Sequence, residues 1–313
     1  MTDRPLRLGS RRSRLAMWQA NYVAEALKER GYAVEIVPIV TAGDTTTGSL
    51  KRAGGQGLFT KAIQTALLEE RIDLAVHSLK DLATEPAAGL VLAAVPPRAA
   101  HGDVLVCRSA ESLETLPERA RVGTGSPRRA AQLLHWRRDL QVVDLRGNVE
   151  TRLEKLEIEE LDAIVLAEAG LTRLGLLDRM TCRLPAPRIL PAAGQGALGI
   201  EVRDGDHDTQ AAVAELDDPP SHAAVLAERA VLAELQAGCL APVGTWARYE
   251  DDRPDHLQLD AAVLSEDGGR RIAARGTAIT ADADFRDARF LGQAVAQMLL
   301  DEGAGELIAA AHR

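Results

Sequence analysis

Short apolar runs alternate with segments of helical periodicity along most of the chain. LRLG at 6–9 precedes a helical pattern from about Ser13 to Arg30, and the continuous run VEIVPIV at 34–40 predicts a buried strand. LFTKAIQTALLEE at 58–70 has helical spacing, whereas DLAVH at 73–77 and LVLAAVPP at 90–97 predict strands, the second stopped by a proline pair. DVLVC, ARVGT, QVVDL and DAIVLA continue the rhythm between 103 and 167. Alternation of this kind predicts parallel α/β sheets with crossover helices. Two Pro/Gly-rich segments, VPPRAAHGD at 95–103 and RILPAAGQG at 188–196, predict crossings: a chain that leaves one α/β lobe and later returns needs two such strands. Beyond Pro219 and Pro220 the pattern changes. A helix at 221–236, strands at about 243–250, 257–264 and 271–279, and a helix from about Asp284 to Leu300 predict a separate α+β domain with an antiparallel sheet.

Composition narrows the function classes. With 313 residues the chain is long for a single core. Hydrophobic residues at 46% exclude disorder for most of it, and aromatics at 3% leave Ala, Val, Leu and Ile to build the interior and exclude stacking platforms for single-stranded nucleic acid. The net charge of −9 argues against general nucleic-acid binding. The N-terminus has no apolar signal core, and no run of eighteen apolar residues predicts a membrane span. Cys107, Cys182 and Cys239 are far apart and show no zinc spacing, which predicts a reduced, cytoplasmic protein without metal.

Positive charge is concentrated at three strand-to-helix turns. GSRRSRLAMW puts Arg11, Arg12 and Arg14 around the candidate N-cap Ser13; VGTGSPRRAAQLL puts Arg128 and Arg129 just after Ser126 and Pro127; VVDLRGNVETRL flanks Asn148 with Arg146 and Arg152. A cation in a helix's first turn is disfavoured by roughly 0.3–1 kcal/mol. Three such clusters point to an anion held by free N–H groups and guanidinium forks, unless internal Asp or Glu residues take the arginines. LAVHSLKDLAT places His77, Lys80 and Asp81 at a strand end. Asp81 is either a helix cap or a carboxylate able to stabilise a cation and move protons, and His77 reads as a structural histidine. Cys239, in ELQAGCLAPVG, is either a small buried hydrophobe or, in its Gly-flanked loop, a reachable thiol; Cys107 in a strand and Cys182 in a polar connector are unremarkable. Gly194, Gly196 and Gly199 run into an apolar strand rather than a helix, so they read as a hinge and not as a dinucleotide loop. The glycine-rich AGGQGLF at 53–59 reads as a lid.

In chain order, SRRSRLAMWQA, VTAGD, GGQGLFTKA, DLAVHSLKDL, VGTGSPRR, LRGNVETRL, AIVLAEAGLTRLGL, LPAAGQGALGIE and GCLAPVG resemble the porphobilinogen deaminase (hydroxymethylbilane synthase) family over nearly the whole chain. The resemblance implies an α/β fold of two periplasmic-binding-protein-like lobes joined by two hinge strands, with a site in the cleft, plus a C-terminal α+β domain with a small antiparallel sheet. The lobes would be residues 1–96 with 197–216, and 102–190; the third domain would be 219–313. It further implies a dipyrromethane cofactor attached through a thioether to Cys239. Stepwise condensation of four porphobilinogen molecules on that primer would release ammonia and hydroxymethylbilane. Asp81 and Lys80 match the catalytic positions. Ser13, Lys80, Asp81, Thr124, Ser126, Arg128, Arg129, Arg146, Gly147 and Arg152 match cofactor contacts, and Arg11, Ser13, Arg146, Arg152, Arg173 and Gln195 match substrate contacts. The implied enzyme is a cytoplasmic monomer that acts on a small molecule. Each pyrrole carries two carboxylates, so a growing chain is a polyanion, which accounts for arginine at three helix starts in an acidic protein. The chain departs from the family at Gln56, where Lys is usual, at Ala62, where Glu is usual, and at Arg14 and Ala83, where Pro is common.

Two other functions are weighed against this one. A solute receptor of the same two-lobed fold would need export and gives Cys239 no role. A cysteine-dependent acyltransferase would need a histidine base, and His222 and His256 flank Cys239 without a recognisable motif.

Overall fold

A computed structural model describes residues 4–41, 60–238, 241–250, 252–280 and 284–311. The glycine-rich loop with Gln56, and Cys239, lie outside the described residues. The chain divides into two compact units, Met1–Ala99 with Ala197–His222, and Ala100–Gly196 with Ala223–Arg313. Two of the three breaks, after Ala99 and after Gly196, fall at the Pro/Gly-rich segments singled out in the sequence.

The first unit opens with β1 (Leu6–Ser10), α1 (Arg14–Lys28), β2 (Val34–Pro38), α2 (Lys61–Leu68), β3 (Leu74–Ser78), a 3-10 turn at Leu79–Asp81 and β4 (Leu90–Ala94). The second follows with β5 (Asp103–Cys107), β6 (Arg121–Gly123), α3 (Pro127–Trp136), β7 (Gln141–Val143), α4 (Val149–Ile158), β8 (Ala163–Ala167), α5 (Glu168–Leu174) and β9 (Cys182–Leu184). β10 (Leu198–Arg203) and α6 (His207–Ala214) return to the first unit. The remainder is α7 (Pro219–Glu234), β11 (Val243–Glu250), β12 (Arg253–Leu264), β13 (Arg271–Ile279), α8 (Arg286–Asp301) and α9 (Ala304–Ala311).

Three sheets result, ordered β2-β1-β3-β10-β4, β7-β6-β8-β5-β9 and β11-β12-β13. β1 pairs parallel with β2 and β3, and β6 pairs parallel with β7 and β8. The expectation of purely parallel sheets fails at the strands next to the crossings. β10 runs antiparallel between β3 and β4, and β5 runs antiparallel to β8 and β9. Neither strand enters its sheet through a helix crossing over that sheet, so the rule that makes βαβ neighbours parallel does not apply to it. β2 is an edge strand, half-buried rather than buried, and Cys182 lies on the edge strand β9 rather than in a connector.

The first sheet is covered on both faces. Leu8, Ala20, Val23, Leu27, Ile200 and Val213 form one core, and Ile63, Leu67, Ile72 and Ala75 another. The third sheet buries Leu257, Leu259 and Val263 together with Val231, Val295 and Ile308. These interiors are aliphatic, as the scarcity of aromatics requires.

Asp73, whose side chain is 2% exposed, ties the first unit together at the foot of β3. It accepts from Arg7 N at 2.9 Å, Arg7 Nη2 at 2.8 Å, Arg4 Nη2 at 3.1 Å and Arg203 Nη2 at 3.4 Å. Burial by itself would raise its pKa, but the bonds from Arg7 outweigh burial and hold it at about 2. A depressed carboxyl stabilises the fold above its unfolded pKa and loses that contribution as pH falls through the folded value. Asp73→Asn is therefore expected to lower stability at pH 7 by about 2 kcal/mol in urea unfolding. The gap to the parent protein should close between about pH 4 and pH 2. A gap that does not change with pH would show that the charge is not what anchors β3.

Candidate active site

The first unit contains an open cavity whose lining includes Arg11, Ser13, Gln19, Thr60, His77 and Asp81. Local sequence explains how each side chain reaches it. β1 ends at Ser10, and Ser13 caps α1 by accepting from Ala16 N at 3.3 Å, so the turn between them presents Arg11. β3 ends at Ser78, and the 3-10 turn then exposes Asp81 with Lys80 beside it. Gln19, buried on α1, donates to Ser78 Oγ at 2.8 Å and locks the helix to the end of that strand. Arg11, Ser13 and Asp81, far apart in sequence, thus share one concavity with cationic, hydroxyl and carboxylate chemistry.

The second unit holds the other two arginine clusters. Ser126 caps α3 by accepting from Arg129 N at 3.4 Å, with Pro127 in the first turn, and Asn148 caps α4 by accepting from Thr151 N at 2.8 Å. Thr124 Oγ1 accepts from Ser126 N at 3.2 Å. At Arg128 and Arg129 the internal acid that the sequence left open as a partner is present. Both are buried against Asp103, whose side chain has no exposed surface. Arg128 Nη1 lies 2.6 Å from Asp103 Oδ2, and Arg129 Nη2 lies 2.7 Å from Oδ1. Arg129 also gives Nε to Asp103 and Nη1 to Val165 O, so all its nitrogens are engaged. The physical reason is that two guanidiniums cannot be buried without a counter-charge. Burial opposes ionisation of Asp103, and the two guanidiniums outweigh burial and hold its carboxyl well below the usual range.

Gln195 belongs to the same knot, donating to His101 O at 2.8 Å and Asp103 Oδ1 at 2.9 Å. Arg146 Nε meets Asp144 Oδ2 at 3.0 Å, Arg152 Nε donates to Gly147 O at 2.9 Å, and Arg173 Nη2 donates to Gly196 O at 2.7 Å. Gly147 has φ +118°, and a Cβ there would lie 2.7 Å from Thr151 Cγ2, so the turn before α4 requires glycine.

One asymmetry in the knot bears on ligand binding. Asp103 balances only one of two buried guanidiniums, and Arg128 Nε is buried with no hydrogen-bond partner. A carboxylate fits that residual charge. Sequence reasoning missed Asp103 and Glu201. Asp103 was legible only as the first residue of an apolar strand, and Glu201 as the lone acid inside LGIEV. Among the described residues no group of His, Cys, Asp and Glu is placed to hold a metal ion, and no helix is long and apolar enough to cross a membrane.

Comparison with known proteins agrees with this chemistry. Residues 6–211 match the family model "Porphobilinogen deaminase, dipyromethane cofactor binding domain", and residues 222–301 match "Porphobilinogen deaminase, C-terminal domain". The chain is 45% identical to the porphobilinogen deaminase of Thermobifida fusca, covering 99% of this chain and 97% of that protein. It is 48% identical to that of Desulforudis audaxviator, covering 96% of each. Among solved structures, the methionine-binding protein MetQ covers 67% of this chain at 12% identity with a TM-score of 0.45. The chain belongs to the porphobilinogen deaminase family: it is a transferase with a dipyrromethane cofactor that condenses porphobilinogen into hydroxymethylbilane, the linear precursor of tetrapyrroles.

Proposed function

We propose that the cavity of the first unit is where porphobilinogen reacts, with Asp81 as the catalytic carboxylate and Lys80 beside it. The observation that carries this reading is the meeting of Arg11, Ser13 and Asp81 in one concavity. Loss of ammonia from an aminomethylpyrrole leaves a cationic ring. An exposed carboxylate fixed on a tight turn opposes that charge without reorganising. Arg11 pairs with a substrate carboxylate and Ser13 donates a hydrogen bond beside it.

The cofactor, when bound, supplies a nucleophilic pyrrole carbon. Cys239 would hold it covalently, and Arg128, Arg129, Arg146, Arg152, Thr124, Ser126 and Gly147 would hold its carboxylates, with Arg173 and Gln195 serving the incoming units. The orphaned Arg128 Nε supports this assignment. The other two thiols support attachment at Cys239: burial pushes Cys107 up to about 11 and also raises Cys182, which makes both poor nucleophiles. The reading extends to a cytoplasmic monomer of three domains, 1–96 with 197–216, 102–190 and 219–313.

Asp81→Asn is expected to lower kcat by on the order of 10²–10³ while moving KM far less, measured by steady-state kinetics. Turnover near that of the parent would reduce Asp81 to a cap. Intact-mass measurement of Cys239→Ala should show no two-pyrrole adduct, and an adduct at the parent's level would move attachment to Cys107 or Cys182. The two buried arginines should separate in one experiment. Arg129→Ala, which leaves Asp103 half-satisfied, should cost roughly 3–5 kcal/mol of stability. Arg128→Lys should fold yet load little cofactor, because a lysine lacks the Nε edge. Equal loading of Arg128→Lys and the parent would show that charge alone suffices there.

A further inference from the structure

Glu228 on α7 is a carboxylate with no exposed surface, and it belongs neither to the cavity lining nor to the arginine clusters. Its Oε2 accepts from Gly194 N at 2.7 Å, and its Oε1 accepts from Ala247 N at 2.8 Å. Both N–H groups sit where regular structure offers no acceptor. Gly194, with φ +71°, lies in the second crossing, outside any helix or strand. Ala247 lies on β11, an edge strand that pairs with β12 on one side only. A buried N–H left without an acceptor is costly, so a side chain has to meet the need. The crossing itself runs along that free edge. Thr245 N donates to Pro191 O at 2.9 Å, and a Cβ on Gly244 would lie 2.7 Å from Leu190 Cβ, so strand and crossing touch directly. Glu228 extends the seam by taking one N–H from each.

The two elements joined in this way frame the segment that carries Cys239: α7 ends at Glu234 and β11 begins at Val243. The flanks of that segment are fixed. Leu235, Ala237, Ala241 and Val243 are buried in the core under the third sheet, and Ala241 N donates to Gly238 O at 3.0 Å. On the crossing, Gly194 is followed by Gln195, which donates to Asp103 Oδ1 at 2.9 Å, and by Gly196, whose carbonyl accepts from Arg173 Nη2 at 2.7 Å. The bond to Glu228 and the bonds to the arginine knot thus fall on consecutive residues. We propose that Glu228 is a positioning residue for the cofactor. It sets the register between the frame of the Cys239 segment and the buried arginines, so that a primer bonded to the first reaches the second with its carboxylates. The demand for two acceptors explains an acid of this length. A glutamine would turn an NH2 donor toward one of the two N–H groups, and an aspartate is one methylene shorter.

This rests on the reading that Cys239 and the arginine knot hold the cofactor, and the experiment separates the two. The parent, Glu228→Gln, Cys239→Ala and Leu299→Ala are prepared without cofactor and then given porphobilinogen. Adduct formation is followed by intact mass, and thermal melting is measured before and after loading. Leu299 is an apolar residue with no exposed surface on α8, so its truncation loosens the same core without removing a bond to the crossing. Glu228→Gln should fold, load at least about tenfold more slowly than the parent, and gain a smaller rise in melting temperature on loading. Leu299→Ala should melt low, yet load and gain as the parent does. Independently of any variant, hydrogen exchange at Gly194 N and Ala247 N of the parent should slow together on loading. Parent-like loading and melting gain in Glu228→Gln, equal impairment of Glu228→Gln and Leu299→Ala, or exchange at the two amides that loading does not change, overturns the proposal. If Cys239→Ala loads as the parent does, the attachment itself has been misread; if it stays unloaded while Glu228→Gln loads normally, only the role of Glu228 falls. Should either folding variant fail to fold, the two amides decide.

Discussion

A fully buried carboxylate cannot stand alone, and the second unit is organised around meeting that requirement at Asp103. Its two oxygens collect Arg128, Arg129 and Gln195. The partners carry the consequences outward. Arg128 and Gln132 also donate to Leu190 O, Leu190 N donates back to Gln132, and Gln195 reaches His101 O. Asp103 follows one inter-unit segment, while Leu190 and Gln195 lie on the other. One charge therefore fixes where both strands enter the second unit, and it also holds the first turn of α3. Removing either side of such a buried pair is costly, which makes the knot a rigid base for ligand-binding groups rather than a set of freely moving ligands.

The first unit meets the same requirement differently. Asp73 neutralises arginines from β1 and β10 below the sheet, and Glu201 stands beside His77 within it. Asp81 has been left exposed at the opposite end of β3. Buried acids with assigned partners serve architecture, whereas the acid on the tight turn remains available to a ligand. A net charge of −9 is thus no obstacle to binding a polyanion: near the ligand-facing turns the protein places arginine, and it keeps many of its acids paired or remote.

What was legible in the sequence was local. Ser13, Ser126 and Asn148 cap their helices because a cap depends on three or four consecutive residues. The two crossings were visible because Pro and Gly interrupt periodicity there. Sheet direction was not legible, since β10 and β5 owe their orientation to long-range returns rather than to neighbours. Nor were the partners of the arginines: Asp103 lies 25 residues from Arg128, and Gln64 lies 137 from Glu201. A first-turn arginine looks identical in sequence whether its counter-charge comes from the protein or from a ligand. At Arg128 the protein supplies a counter-charge through Asp103 and leaves Nε unmatched.

The placement of chemistry on β3 follows from the same long-range returns. β3 lies inside its sheet, with β1 beside its first residues and β10 along its whole length up to Ser78. β1 delivers Arg11 and Ser13 to the same edge, and β10 brings Glu201 alongside His77. Had β10 joined the edge of the sheet instead, β3 would have lacked that neighbour and His77 its carboxylate. The insertion of a returning strand next to β3 is therefore what gives a buried histidine its carboxylate neighbour, in the same unit that leaves Asp81 exposed. An exposed acid on the turn after β3 and a buried acid beside His77 thus arise from one strand order: the first is left facing solvent, and the second is enclosed by Gln64 and His77.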